Sequence, residues 1–324
     1  MPDTSESNVD VRHLLGAIGV DYADILACLP QDGLSHPAML VGSVAEGFGN
    51  STSDVDVMVI GSLDSIANGI GSADDLKGFS DLQSGKRAKA IAARMPTGGT
   101  IFHPLLAGHR VQLEVLSEEY ISRRIRGIRS VLGGSRGESP SEGDDGGMNT
   151  FGDFRILHRF MNGRPLQGAG SLESLREGLT RGDLADYFVA AHNITLNSFV
   201  EDFVGVRKKA HGAEIETEAL LIDRCLVTLA QLLLCAVGET SPGEKFIFRL
   251  QRRHADEIGT DLADEFQRIY MRSRQYAGGD VTPVLAFIDK VLDRCEELSP
   301  FFRTLAARTK RQHLNIEGDW HRSN

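Results

Sequence analysis

The sequence predicts an α+β chain: a mixed β-sheet with helices over residues 9–132, followed by an all-α helical bundle over residues 151–315. Three observations predict it. Short runs of alternating apolar residues, separated by Gly-containing turns, lie before Ser117, and period-two alternation marks half-buried strands. Beyond Phe151 the apolar residues recur instead at helical spacing over long stretches. Between the two, Gly133–Asn149 reads GGSRGESPSEGDDGGMN, low in apolar residues and rich in Gly, Ser and acid. Such a segment cannot bury enough to order itself, so residues 133–150 are expected to form a flexible linker or loop.

Each element has its own reason. Residues 1–8 are polar and acidic and are expected to be disordered. Val9–Leu29 reads as one helix that stops before Pro30. Met39-Leu40-Val41 forms a strand over about 38–42 that ends in Gly42-Ser43. A short helix, roughly Val44–Phe48, and the turn Gly47-Phe48-Gly49-Asn50-Ser51 follow. Asp54-Val55-Asp56-Val57-Met58-Val59-Ile60 alternates as a strand over about 54–61. Asp64–Arg94 is irregular, with a helical piece around Lys86–Arg94. Thr100–Leu116 reads as a hairpin whose second strand is His109–Leu116, and Ser117–Leu132 as a helix. Helices are then expected at Phe151–Asn162, which stops at Gly163-Arg164-Pro165, at Leu172–Leu179 and at Leu184–Val204. Glu214–Val237 is the most apolar and the expected centre of the bundle. Further helices run near 244–257, 261–277, 281–297 and 300–313, leaving 316–324 as a tail.

Composition bounds the function. At 324 residues the chain has room for two domains, and 41% hydrophobic with 25% charged residues is ordinary for a soluble protein. No uninterrupted apolar run approaches the roughly 18 residues that span a bilayer, and the polar N-terminus lacks a signal-peptide core. Cys28, Cys225, Cys235 and Cys295 are far apart without metal-ligand spacing. They read as buried free thiols, and a reducing cytoplasm is the expected location. The net charge is −10, where chains that track a nucleic-acid backbone usually carry a basic stripe. The basic clusters Arg123–Arg126, Arg207–Lys209 and Arg308–Arg311 are short and read as solvated helix faces. Neither a nucleic-acid partner nor a membrane is expected.

The chemistry concentrates in Leu40–Ser62. Residues i and i+2 of a strand share a face, so Asp54 and Asp56 are expected side by side. Two close carboxylates repel, and a cation between them relieves the repulsion. Oxygen-only ligands suit Mg²⁺. Gly42-Ser43, where a strand runs into a short helix, offers close backbone approach, free N–H groups and a hydroxyl to a phosphate. Glu114 is the acid of the neighbouring strand and the expected third carboxylate.

This constellation resembles the DNA polymerase β-like nucleotidyltransferase superfamily, whose signature is Gly-Ser, about ten residues, Asp-x-Asp, and a later acid on an adjacent strand. Here those are Gly42-Ser43, Asp54, Asp56 and Glu114, and the resemblance covers roughly the first 130 residues. One departure is Glu46, where many members carry a basic residue; it reads as a solvated acid in the helix's first turn.

The resemblance implies a nucleotidyltransferase-type sheet, with the helical half forming the far wall of a substrate cleft. It implies catalytic and metal roles for Asp54, Asp56 and Glu114, with two Mg²⁺ ions, and phosphate contacts from Gly42 and Ser43. It further implies a triphosphate-neutralising lysine in the helical half, for which Lys245 is the first candidate and Lys208 and Lys209 compete. The donor is an NTP, ATP first among them, and the general base is open among Glu201, Asp202, Glu214, Glu216 and Glu218. The expected reaction moves a nucleoside monophosphate onto a hydroxyl or similar group of a small molecule. An antitoxin-type protein adenylyltransferase, a nucleotide-polymer or cyclic-dinucleotide synthase, and a catalytically silent binding protein remain open as alternatives.

Overall fold

The structure, a computed structural model, describes residues 10–29, 36–61, 99–102, 105–106, 109–135, 151–209, 215–241 and 243–305. The chain divides into two compact units: Met1–Arg126 with Ile156–Leu179, and Gly127–Arg155 with Thr180–Asn324. The α+β class predicted from the pattern is the one observed. Residues Ile156–Leu179, expected in the helical domain, pack instead with the first unit.

The first unit opens with α1 (Val11–Gly16) and α2 (Tyr22–Ala27) rather than the single helix expected over Val9–Leu29. Asp10 caps α1 by accepting from the Arg12 N–H at 3.0 Å, and Asp21 caps α2 by accepting from the Ala23 N–H at 2.8 Å. Gly19, at φ 82°, supplies the left-handed residue that ends the first helix. β1 (Ala38–Val41) leads into the one-turn helix α3 (Gly42–Ala45), and β2 (Val55–Ile60) follows. The hairpin expected over Thr100–Leu116 is present as β3 (Gly99–Phe102) antiparallel to β5 (His109–Leu116), with the added two-residue strand β4 (Leu105–Leu106) also paired to β5. α4 (Glu118–Ser135) ends three residues beyond the expected Leu132. α5 (Phe151–Asn162), which belongs to this unit from Ile156 on, has the bounds read from the sequence, and α6 (Ala169–Arg176) completes the unit. Between them, Arg164–Gln167 forms an unexpected strand, β6. The irregular Asp64–Arg94, its helical piece, most of 133–150 and both termini lie outside the described residues.

The sheet runs β3-β5-β2-β1-β6, with β4 beside β5. β2 and β5 are parallel and the other pairs antiparallel. β6 lies at an edge, where Pro165 is tolerated. On one face Ala38, Leu40, Val55, Val57, Val59, Val111, Leu113 and Val115 join Leu15, Ile18, Val20 and Ile25 in one apolar core. The register puts the alternate residues on the other face: Met39 faces Met58, Val41 faces Asp56, and Met58 faces Glu114. Asp56 and Glu114 therefore share a face two positions apart.

The second unit is helical. α7 (Arg181–Lys209) and α8 (Ile215–Ala236) pack along one another, and α8 also packs on α9 (Ile247–Arg253), α11 (Thr260–Met271), α12 (Ser273–Tyr276) and α13 (Thr282–Leu298), with the short α10 (Ala255–Ile258) before α11. Residues 300–305 are helical, and the rest of the helix expected to 313 is outside the described residues. The central position expected of Glu214–Val237 is the position of α8, from Ile222 to Ala236 largely buried. By length and composition α8 alone among the described helices would also cross a membrane, which the run-length reading did not register, but 67% of its apolar window is buried in the protein. Glu218 in its first turn is buried against Arg207 and accepts from the Gly278 N–H at 2.9 Å. Those bonds hold α7, α8 and the chain before α13 together, which takes Glu218 off the list of general bases.

Candidate active site

The loop between α3 and β2 is held by its own side chains. Asn50 Oδ1 accepts from the Thr52 N–H at 3.0 Å and from the Thr52 hydroxyl at 2.8 Å, and Ser53 Oγ accepts from the Asn50 N–H at 2.9 Å. This Asx turn delivers the chain into β2 at a fixed phase. Asp54 lies one residue before the strand and is exposed, whereas Asp56 lies within it and is partly buried. Glu114, from the neighbouring β5, is buried.

Asp56 and Glu114 converge on one side chain that sequence reasoning missed. Arg159 of α5 donates from Nη1 to Glu114 Oε2 at 2.9 Å and from Nη2 to Asp56 Oδ2 at 3.2 Å. The three side chains are 12%, 6% and 14% exposed respectively, so the ion triad is well shielded from water. A planar guanidinium with divergent N–H groups suits two carboxylates on adjacent strands. The preceding residue, His158, makes a second tie. Asn162 Nδ2 donates to His158 Nδ1 at 3.1 Å, which leaves the proton on Nε2, 3.2 Å from Glu46 Oε1. Glu46 is thus the C-cap of α3 and the partner of a buried histidine, not the solvated first-turn acid expected. Two adjacent residues of α5 therefore clamp the Gly-Ser turn and the acidic strands. Arg176 secures α5 in turn, donating from Nε to the Phe160 carbonyl at 3.0 Å and from Nη2 to that of Gly163 at 3.1 Å. Burial away from water lowers the Arg176 pKa.

Gly42 has two reasons to be glycine. Its φ is +71°, and a Cβ built on it would stand 2.2 Å from Asp56 Oδ2 and 3.1 Å from Asp56 Cγ. The close backbone approach read from the motif is therefore first an approach to the carboxylate of Asp56. Gly42→Ala should cost about 1–3 kcal/mol of stability and push Asp56 off Arg159. Urea unfolding checks the first and the crystal structure of the variant the second. Ser43 follows, half-buried, in the first turn of α3, where backbone N–H groups lack intrahelical acceptors and the N-cap residue Val41 makes no side-chain cap.

The acidic donors are all oxygen, which fits a hard divalent cation in kind. Two of them already point at one cationic group. Among the described residues no three His, Cys, Asp or Glu side chains are gathered to hold a metal. The place a cation would share between Asp56 and Glu114 is held by the Arg159 guanidinium.

Lys245 lies in the second unit, exposed, in a 3-10 turn over Glu244–Phe246, with Nζ 5.2 Å from the centre of the Phe246 ring. It lines a pocket of about 730 Å³ with Phe154, His192, Thr195, Arg224 and Gln231, among others. His192 there is 4% exposed, and burial holds its imidazole down to about 4. An unfolded histidine protonates near 6.5. Below that pH the unfolded chain takes up a proton that the folded one refuses, so the stability present at neutral pH is lost as pH falls from 6.5 towards 4. The loss should reach about 2–3 kcal/mol at pH 4.5. His254 works the other way, since the Glu239 carboxylate 3.6 Å away raises its pKa and stabilises the acidic range. Comparing urea midpoints of the wild type and His192→Gln at pH 7 and 4.5 isolates the His192 contribution.

No family model and no curated protein sequence matches the chain. Among solved structures it is similar to a nucleotidyltransferase-like protein from Exiguobacterium sibiricum, with 13% identity, 86% of this chain and 75% of that one covered, and a TM-score of 0.39.

Proposed function

We propose that the chain is a Mg²⁺-dependent nucleotidyltransferase that moves a nucleoside monophosphate from an NTP, ATP first among them, to a hydroxyl or similar group of a small molecule. The observation that carries this reading is the convergence of Asp56 and Glu114, from parallel neighbouring strands, on one cationic group beside the uncapped Gly42-Ser43 turn. Asp56 and Glu114 would hold the metal, and Asp54, exposed one residue before the strand, would complete its ligands by turning toward them. When bound, Mg²⁺ would polarise the phosphates and lower the acceptor's pKa.

The remaining roles belong to the chain. The first-turn N–H groups of α3 and the Ser43 hydroxyl bind phosphate oxygens. Arg159 bonds both carboxylates and holds them apart, and with a metal bound its guanidinium would be available to the negative charge of the phosphates. The acceptor oxygen bonds to the α-phosphorus as the bond to pyrophosphate breaks. Ser43→Ala should weaken NTP binding by about 1.5–3 kcal/mol, read by calorimetry in Mg²⁺ buffer.

A second reading, phosphate binding without transfer, is favoured by one observation: Arg159 already satisfies both carboxylates. Incubation with each α-labelled NTP, Mg²⁺ and a small-molecule extract separates the two. Transfer yields pyrophosphate and a labelled product that Asp56→Asn fails to make; binding alone yields neither.

A further inference from the structure

The second unit carries a pocket that the sheet chemistry does not use. Ala191, His192, Thr195 and Phe199 come from one stripe of α7, and Arg224, Val227, Thr228 and Gln231 from one stripe of α8. Phe154 and residues 243–245 complete the wall, and the volume of about 730 Å³ is that of a small-molecule site. The lining is graded. Phe154, Phe199, Ala191 and Val227 provide apolar and aromatic walls. His192, Thr228 and Gln231 are buried polar groups. Arg224, Glu244 and Lys245 stand exposed at the mouth.

Two details say what would fill it. His192 Nε2 is buried without a hydrogen-bond partner among the described residues. The ring stands edge-on to Phe154, at 5.7 Å, and to Phe188, at 6.4 Å, and burial keeps it neutral at pH 7. A buried ring nitrogen left unpaired costs free energy that a ligand's polar group would recover. At the mouth, Arg224 and Glu244 pair at 3.5 Å. Lys245 makes no ion pair among the described residues, so the rim keeps one positive charge over.

We propose that this pocket binds a planar, uncharged ring bearing an anionic group: the ring lies between Phe154 and Phe199, a polar ring substituent meets His192, and the anion meets Lys245. The site stands independently of metal or nucleotide binding at Asp56 and Glu114.

The probe is 8-anilinonaphthalene-1-sulfonate, which joins flat rings to a sulfonate and fluoresces when sheltered from water. Titrated into the full chain at pH 7, it should saturate at one site. His192→Phe and Lys245→Gln should each weaken it about tenfold. Lys245 is exposed, so its variant keeps the fold, with circular dichroism as the check. Asp56→Asn should leave probe affinity unchanged, so failure of the catalytic reading does not touch this one. Competition by adenosine monophosphate, or by an aromatic carboxylate, would tell which acid the pocket prefers. Unsaturable fluorescence, equal affinity in the wild type and both pocket variants, or displacement by inorganic phosphate at the same concentrations would overturn the proposal.

Discussion

Arg159→Ala should be the most destabilising single change in the first unit. It strips the shared counter-ion from Asp56 and from the buried Glu114, leaving two carboxylates to repel each other in a poorly solvated place. Removing one member of a buried ion group costs about 3–5 kcal/mol, because the charge left behind has neither water nor partner. The loss should shrink when Glu114→Gln is added, since the second variant removes the charge that the first exposes. It should also shrink in millimolar Mg²⁺, because a cation that binds only the folded chain stabilises it by mass action. Chemical denaturation of the single and double variants, with and without Mg²⁺, reads all three effects. An Arg159→Ala protein as stable as the wild type would mean that the triad contributes nothing to the fold.

Asp56→Asn should have the largest effect on activity. Asp56 is at once a partner of Arg159, the neighbour against which Gly42 packs, and a proposed metal ligand. Asparagine keeps the size and a carbonyl oxygen but loses the charge, so the fold should survive, with Glu114 still bonded to Arg159 at 2.9 Å. Turnover should fall by at least about 10²–10³-fold, the scale on which a preorganised electrostatic contact acts on a transition state. The labelled-NTP assay measures that loss and circular dichroism verifies the fold. Wild-type turnover in the variant would remove Asp56 from the chemistry.

The sheet was legible because its signals are local. The alternation in Val55–Ile60 and His109–Leu116 sets the face of every side chain, and the Gly-Ser turn can be read in two residues. The split at Gly19 was also written locally, as a glycine followed by the capping Asp21, but the apolar periodicity running across it hid the break. β6 begins at the Gly163-Arg164-Pro165 helix stop, where a proline gives no local sign of a strand, and only the sheet order shows that the position is an edge. Arg159 was out of reach for another reason. Its partners lie 103 and 45 residues away, so nothing near it marks it among the many arginines. The one available clue was its setting, beside His158 in a helix whose Leu157 and Phe160 are fully buried. A charged residue in such a stretch needs a partner of opposite charge.

On the proposed function, Asp56 and Glu114 would take up a divalent cation, supplied with the nucleotide, in place of the Arg159 guanidinium. Electron paramagnetic resonance of Mn²⁺, standing in for Mg²⁺, tests this directly on the full-length protein with a non-hydrolysable NTP analogue. The wild type should immobilise Mn²⁺ in the presence of the analogue, and Glu114→Gln and Asp56→Asn should lose most of that binding. Mn²⁺ binding of equal strength in the wild type and both variants would contradict this assignment.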